Sequence, residues 1–246
     1  MTHSNPAIIL VNPQMGENIG ATARAMLNFG LTDLRLVNPR DGWPNERATA
    51  TASGALDIMP APSVYESFSD SIKDLHYVLA TTSRDRDMVK PVHTPEAASH
   101  TLIQRSEKQQ NTGFVFGCER TGITNEDLAL CQGIINIPAN NDFASLNLAQ
   151  AVLLIAYQWR IAVDAHSPQE ASQQEDHIPA RQDDIHGFLA RLQKDLEDRK
   201  FFRSEGLKAT MVRNIQNIFT RADISDQELR TLHGILSALR GNKTPK

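Results

Sequence analysis

Asn141-Asp-Phe-Ala-Ser-Leu-Asn-Leu-Ala-Gln-Ala151 joins a short β-branched run, Ile134 to Ile137, to a long apolar helix. The polar turn ending in Ser145 and Asn147 falls where that helix begins. Two similar junctions lie upstream, Asn18-Ile-Gly-Ala-Thr-Ala-Arg24 and Phe114-Val-Phe-Gly-Cys-Glu-Arg-Thr-Gly-Ile-Thr124. In an open α/β sheet such junctions stand at the carboxyl ends of strands, where ligands bind. Three of them, each carrying Gly, Asn, Ser or a charge, suggest one composite site.

The flanking pattern supports that sheet. Ala7 to Val11, Leu34 to Val37, Tyr77 to Ala80, Phe114 to Phe116 and Ile134 to Ile137 read as buried strands, the first two closed by Asn-Pro. Helices are expected over Gly20 to Phe29, Ala48 to Ala55, Ser63 (as cap) to Ile72, Pro95 to Arg105, from Asn125, and over Leu146 to Ala165. Strands alternating with helices predict an α/β fold with a parallel sheet covered on both faces. Residues 166–182, rich in Gln, Glu, Ser and Pro, read as a linker. A small helical module follows at 183–246, with segments Asp184 to Lys200, Lys208 to Phe219 and Asp226 to Leu239. Asp183 and Ser225 are the expected caps of the first and third.

Hydrophobic residues make up 40% of the 246 and charged ones 22%, enough for a real core. Cys118 and Cys131 form neither a CxxC pair nor a zinc spacing, which points to a reduced intracellular protein. No signal peptide and no membrane span are expected, because the longest apolar stretch, near Ala149 to Ala156, is short. Net charge is -4, and its distribution is uneven. Residues 183–246 hold 12 Lys and Arg against 9 Asp and Glu, the remainder 13 against 20. The tail is therefore the basic part, though an ordinary solvated helical surface would explain so small an excess.

Common chemistries are excluded first. Gly16-Glu-Asn-Ile-Gly20 is not a dinucleotide fingerprint. Gly117 to Gly122 has P-loop glycine spacing, but Ile123-Thr124 replaces the required Lys-Ser/Thr. There is no GxSxG elbow, and no dense ligand cluster supports a metal. Taken singly, the remaining candidates have plain alternatives. Asn18 is as good an N-cap as a functional group. Arg24 could be an exposed helical arginine, yet small residues on several faces of its helix permit close approach of a ligand or another chain. Gly117 and Gly122 could supply turn geometry around Glu119. Ser145 and Asn147 could be caps, and Thr81 to Arg84 an ordinary turn.

Taken together and in order, the three junctions resemble the SPOUT superfamily of S-adenosylmethionine-dependent RNA methyltransferases, in its 2'-O-ribose branch. Asn18 to Arg24 is similar to its first motif, Phe116-Gly-Cys-Glu-Arg-Thr-Gly122 to its second, and Ile137-Pro138 with Ser145-Leu-Asn-Leu-Ala149 to its third. Gly30-Leu-Thr-Asp-Leu, Leu36-Val-Asn-Pro39, Gly122-Ile-Thr-Asn-Glu126 and Phe219-Thr-Arg-Ala222 extend the likeness over nearly the whole chain. Ala144 departs from the Ser that close relatives often carry.

The resemblance implies a catalytic domain over 1–165 whose sheet is threaded through a C-terminal trefoil knot, one of the few exceptions to the rule against knots. It implies S-adenosylmethionine held by Thr81, Thr82, Ser83, Gly117, Ile137, Ala144, Ser145 and Leu146. Arg24, Asn18, Glu119, Ser145 and Asn147 would form the catalytic set, in a cytoplasmic homodimer where Arg24 reaches toward the partner's cofactor. Arg24 would serve as base beside an RNA phosphate, or stabilise the alkoxide and orient the ribose, since arginine as a residue type stays charged. The implied substrate is tRNA, methylated on the pyrimidine ribose at nucleotide 32 of the anticodon loop. The helical extension would grip it through Arg199, Lys200, Arg203, Lys208, Arg213 and Arg221. Neither membrane nor metal is implied. Methylation of another tRNA or rRNA site, an RNA-binding protein without catalysis, and a nucleotide-binding α/β protein stand as alternatives.

Overall fold

Apolar runs without polar alternation become strands buried on both faces. The computed structural model describes residues 4–82, 88–140, 142–165, 179–202 and 205–240. Among them the strands are β1 (Ala7–Val11), β2 (Leu34–Val37), β3 (Ser63–Tyr65), β4 (Tyr77–Thr81), β5 (Val92–His93), β6 (Thr112–Phe116) and β7 (Gly133–Ile135). All six pairings are parallel, in the order β3-β2-β1-β6-β4-β7-β5. The helices are α1 (Gly16–Asn28), α2 (Glu46–Ala52), α3 (Ala55–Ile58), α4 (Phe68–Ser71), α5 (Pro95–Glu107), α6 (Asn125–Ala129), α7 (Leu148–Ala165), α8 (Gln182–Asp198), α9 (Glu205–Arg221) and α10 (Asp226–Arg240).

Successive strand residues point to opposite faces. Ile8, Leu10, Leu34, Leu36, Phe114 and Phe116 join a core shared with α1, α2, α5 and α7. Ile9, Val11, Val37, Val78, Ala80 and Val115 join a second core with α4 and α6. Trp159 of α7 is fully buried edge-on to Phe114, with ring centroids 6.4 Å apart. Fully burying one Leu, Ile or Phe contributes about 1.5–3 kcal/mol, so these two layers supply most of the drive to fold.

Several expectations are corrected. Ser63 opens the edge strand β3 instead of capping a helix; Ser67 accepts from the Asp70 amide and caps the short α4. Two-residue β5 had no readable pattern. α1 begins at Gly16, four residues early, which puts Asn18 inside its first turn and not at the N-cap. Thr124, not Asn125, caps α6. Asp183 lies in the first turn of α8, which starts at Gln182 without a side-chain cap. Ser225 does cap α10, in a reciprocal box with Glu228.

Of the expected linker, 166–178 fall outside the described residues. Pro179 to Gln182 are already fastened: the Ala180 amide donates to Ile224 O at 2.8 Å and the Gln182 amide to Leu75 O at 3.2 Å. The three C-terminal helices enclose their own core of Ile185, Phe188, Leu189, Ile224, Leu229 and Leu236. They also dock on the sheet domain. Arg105 forms an ion pair with Asp223, Arg213 one with Glu126 at 2.6 Å, and Asn217 Nδ2 donates to Val89 O at 3.2 Å. Lys90, 7% exposed, donates to Cys131 O at 2.5 Å, Ala129 O at 3.3 Å and the Thr220 hydroxyl at 3.3 Å. Burial pushes its ammonium down to about 8, leaving it charged at neutral pH.

Candidate active site

Strand order decides which loops meet. β6, β4 and β7 are neighbours, so their carboxyl-terminal loops share one rim, and β1 lies beside β6. The loop after β4 is tied at both sides: Thr81 Oγ1 donates to Val115 O at 3.1 Å and the Thr82 amide to Ile135 O at 3.1 Å. A cleft opens there, about 840 Å³ counting its open mouth, within the range of ligand pockets. Of the eight expected cofactor residues, Thr81, Thr82, Gly117, Ile137, Ala144, Ser145 and Leu146 line it. Ser83 lies outside the described residues. Phe116, Cys118, Arg120, Ile135, Leu148 and Ala151 line it too; the second junction held a signal for the first three and the third junction for Leu148 and Ala151, whereas Ile135 read only as a strand residue.

Gly117 is there because nothing larger fits. A Cβ on it would lie 2.1 Å from the Ile123 amide nitrogen and 2.2 Å from the Gly122 carbonyl carbon. The loop doubles back on itself, with the Gly122 amide donating to Cys118 O at 2.7 Å and Gly122 at φ +69. Both glycines therefore shape the turn, and the turn presents Glu119 to the first junction.

Glu119 organises that junction. One carboxylate oxygen accepts from the Gln14 amide at 2.9 Å, the other from Asn18 Nδ2 at 2.8 Å. Asn18 Oδ1 in turn accepts from Asn147 Nδ2 at 2.9 Å. Asn147 Oδ1 accepts from the Ala149 amide at 2.9 Å and so caps α7. One polar chain thus runs Gln14–Glu119–Asn18–Asn147 across all three junctions, over sequence separations above 100 residues. Ser145 is exposed at the cleft mouth, two residues from Asn147. Arg24 is exposed two turns along α1, its Nη1 donating to Ser53 Oγ at 3.0 Å. Among the described residues no hydrogen bond joins it to the polar chain.

Two small residues of α1, Gly16 and Gly20, face α2. A Cβ on Gly20 would lie 2.0 Å from Ala48 O, and one on Gly16 2.1 Å from Asn45 Oδ1. They admit α2 of the same chain.

A model of the SpoU rRNA methylase family matches residues 5–157, the whole sheet and α1 to most of α7. The chain belongs to the SpoU methylase family. Curated relatives match nearly the whole length of this SpoU methylase. A tRNA (cytidine/uridine-2'-O-)-methyltransferase, TrmJ of Photorhabdus laumondii, is 35% identical over 235 residues, 96% of each chain. The crystal structure of TrmJ from Zymomonas mobilis ZM4 superposes with a TM-score of 0.86 at 42% identity, covering 97% of this chain and 100% of that one. The SpoU methyltransferase AviRb from Streptomyces viridochromogenes, in complex with the cofactor AdoMet, shares the fold at 18% identity, with a TM-score of 0.52 over 67% of this chain. The C-terminal helices lie beyond the family match, but within the stretch shared with the two TrmJ proteins.

Among the described residues no cluster suits a metal, and no helix is long and apolar enough to cross a membrane. In the tail, Arg199 donates to Leu239 O, Lys208 pairs with Glu197 and Arg213 with Glu126. Lys200 and Arg221 are exposed, and Arg203 lies outside the described residues.

Proposed function

We propose that this protein is an S-adenosylmethionine-dependent tRNA (cytidine/uridine-2'-O-)-methyltransferase that acts at nucleotide 32 of the anticodon loop. The observation that carries the reading is the polar chain from Glu119 through Asn18 to Asn147, set at the edge of a ligand-sized cleft. The cleft fits the cofactor: its walls are apolar at Phe116, Ile135, Ile137 and Leu148, and polar groups stand at Thr82, Glu119 and Ser145. A backbone turn at Gly117 leaves no room for a side chain, so its peptide groups can approach a ligand closely. Full-length likeness to TrmJ proteins supports the substrate class.

When bound, S-adenosylmethionine supplies an electrophilic methyl group. A ribose hydroxyl is a poor nucleophile, so alignment and stabilisation of negative charge on its oxygen do most of the work. Asn147 fixes the start of α7 and with it the backbone that places Ser145 against the ribose. Glu119 holds Asn18 and the loop after β1 in register. Arg24 brings its guanidinium to the ribose and its phosphate and stabilises negative charge on the oxygen while the hydroxyl proton passes to solvent water.

The protein acts as a cytoplasmic homodimer in which Arg24 completes the partner's site. Its support is a partly exposed apolar stripe on α7: Leu153, Leu154, Tyr157 and Ile161 are each 39% to 48% exposed. The knot implied by the SPOUT likeness is consistent with β7 pairing between β4 and β5 after the chain has already crossed to β6. The helical tail grips the tRNA body, with Lys200 and Arg221 among its exposed cations. Incubation of total tRNA with labelled S-adenosylmethionine, followed by nucleoside mass spectrometry, tests the reading. The wild type yields 2'-O-methylcytidine or 2'-O-methyluridine and Arg24→Ala loses most of it; methylated bases, or no transfer, contradict it.

A further inference from the structure

Arg24 is the charged group of the proposed reaction, yet it stands on an exposed helix surface, away from the polar chain that fixes its companions. A guanidinium on a long side chain samples many rotamers, and freezing it during the reaction costs rate. One contact orders it: Nη1 donates to Ser53 Oγ at 3.0 Å, across 29 residues of sequence.

Ser53 occupies an unusual place. It follows the last residue of α2 in the left-handed region, φ 50 and ψ 43, and Gly54 continues there at φ 83. At such a helix end glycine is the residue without steric penalty, and Asn the common substitute. A serine gives up that ease and gains a hydroxyl, directed here at Arg24.

The rest of α2 is built to deliver it. Gly16, Gly20 and Arg24 recur every four residues and so form one stripe of α1. At the two glycines α2 approaches so closely that a Cβ would meet Asn45 or Ala48 O, and Thr51 Oγ1 donates to Glu17 O at 3.1 Å. At the third position of the stripe, the C-terminus of α2 meets the arginine.

We propose that Ser53 is a positioning residue for Arg24: seated in a left-handed turn that the α1–α2 glycine contact brings into place, it holds the guanidinium ready for the ribose. The proposal rests on the methyltransferase reading of Arg24, and the test separates the two. Full-length Ser53→Gly, Ser53→Thr and Arg24→Ala are compared with wild type for kcat and KM on a tRNA transcript and for Tm. Ser53→Gly relieves the backbone and removes the acceptor. Its Tm stays level or rises, kcat falls about three- to tenfold, as loss of one ordering hydrogen bond would give, and KM for S-adenosylmethionine is unchanged. Ser53→Thr keeps the hydroxyl but puts a β-branched residue in a left-handed site; its Tm falls while most of the rate is retained. A merely structural residue would move Tm and kcat together. Full activity in Ser53→Gly beside a collapsed Arg24→Ala overturns the proposal and leaves the reaction assigned. Full activity in Arg24→Ala overturns both.

Discussion

Glu119 shows how much one side chain decides. It accepts from one backbone amide and from Asn18, itself only 8% exposed. Glu119→Ala leaves both donors without a partner in a half-buried place. The expected cost is about 1–3 kcal/mol in urea unfolding, with a loss of methyl transfer well beyond what the residual folded fraction explains. Gly117→Ala puts a methyl group 2.1 Å from the Ile123 nitrogen and must open the turn; calorimetry should show S-adenosylmethionine affinity falling at least about tenfold. At this scale the sequence was informative about identity and poor about linkage. Asn18, Glu119, Ser145 and Asn147 were each legible as polar residues at strand ends. That Asn18 bridges Glu119 and Asn147 was not, because the bonds span separations of 101 and 129 residues. Asn18 looked like an N-cap because its helix seemed to start at Gly20, when it starts at Gly16.

At the scale of elements, the packing of α1 on α2 carries the function as well as the fold. Gly20→Ala sets a methyl group 2.0 Å from Ala48 O, so α2 must shift outward. We expect about 1–3 kcal/mol of destabilisation by urea unfolding and a parallel fall in activity as Ser53 leaves Arg24. The long strands and helices were legible because apolar runs and caps announce them. The β3 edge, the two-residue β5 and the cap at Ser67 were not, since each depends on neighbours already in the sheet. Lys90 also belongs at this scale, binding α9 to the segment between α6 and β7. Its folded pKa of about 8 lies below the unfolded value, 10.5. Below pH 8 both states hold the proton and the full burial cost is present. Between about pH 8 and 10.5 the unfolded chain binds more protons, so this group makes stability rise with pH. Urea unfolding of wild type should show that rise relative to Lys90→Met, whose curve lacks it.

The whole molecule is a sheet domain with its helical tail docked through buried polar contacts, joined to a second copy in the proposed account. The composition of residues 166–182 gave no hint of that docking, because Arg105–Asp223 and Lys90–Thr220 pair groups more than 100 residues apart. Two tail cations expected to face RNA also pair within the chain, Arg213 with Glu126 and Lys208 with Glu197. For the dimer, Leu153→Lys with Ile161→Lys charges the exposed stripe of α7 without touching its buried face. Light scattering should give a dimer for wild type and a monomer for the double variant, with methyl transfer lost because Arg24 no longer reaches a partner's cleft. The claim that these loops methylate one ribose hydroxyl is tested most directly on a tRNA transcript carrying 2'-deoxyribose at nucleotide 32. The account predicts one methyl group transferred to the unmodified transcript and none to the deoxy one; equal transfer to both would contradict it.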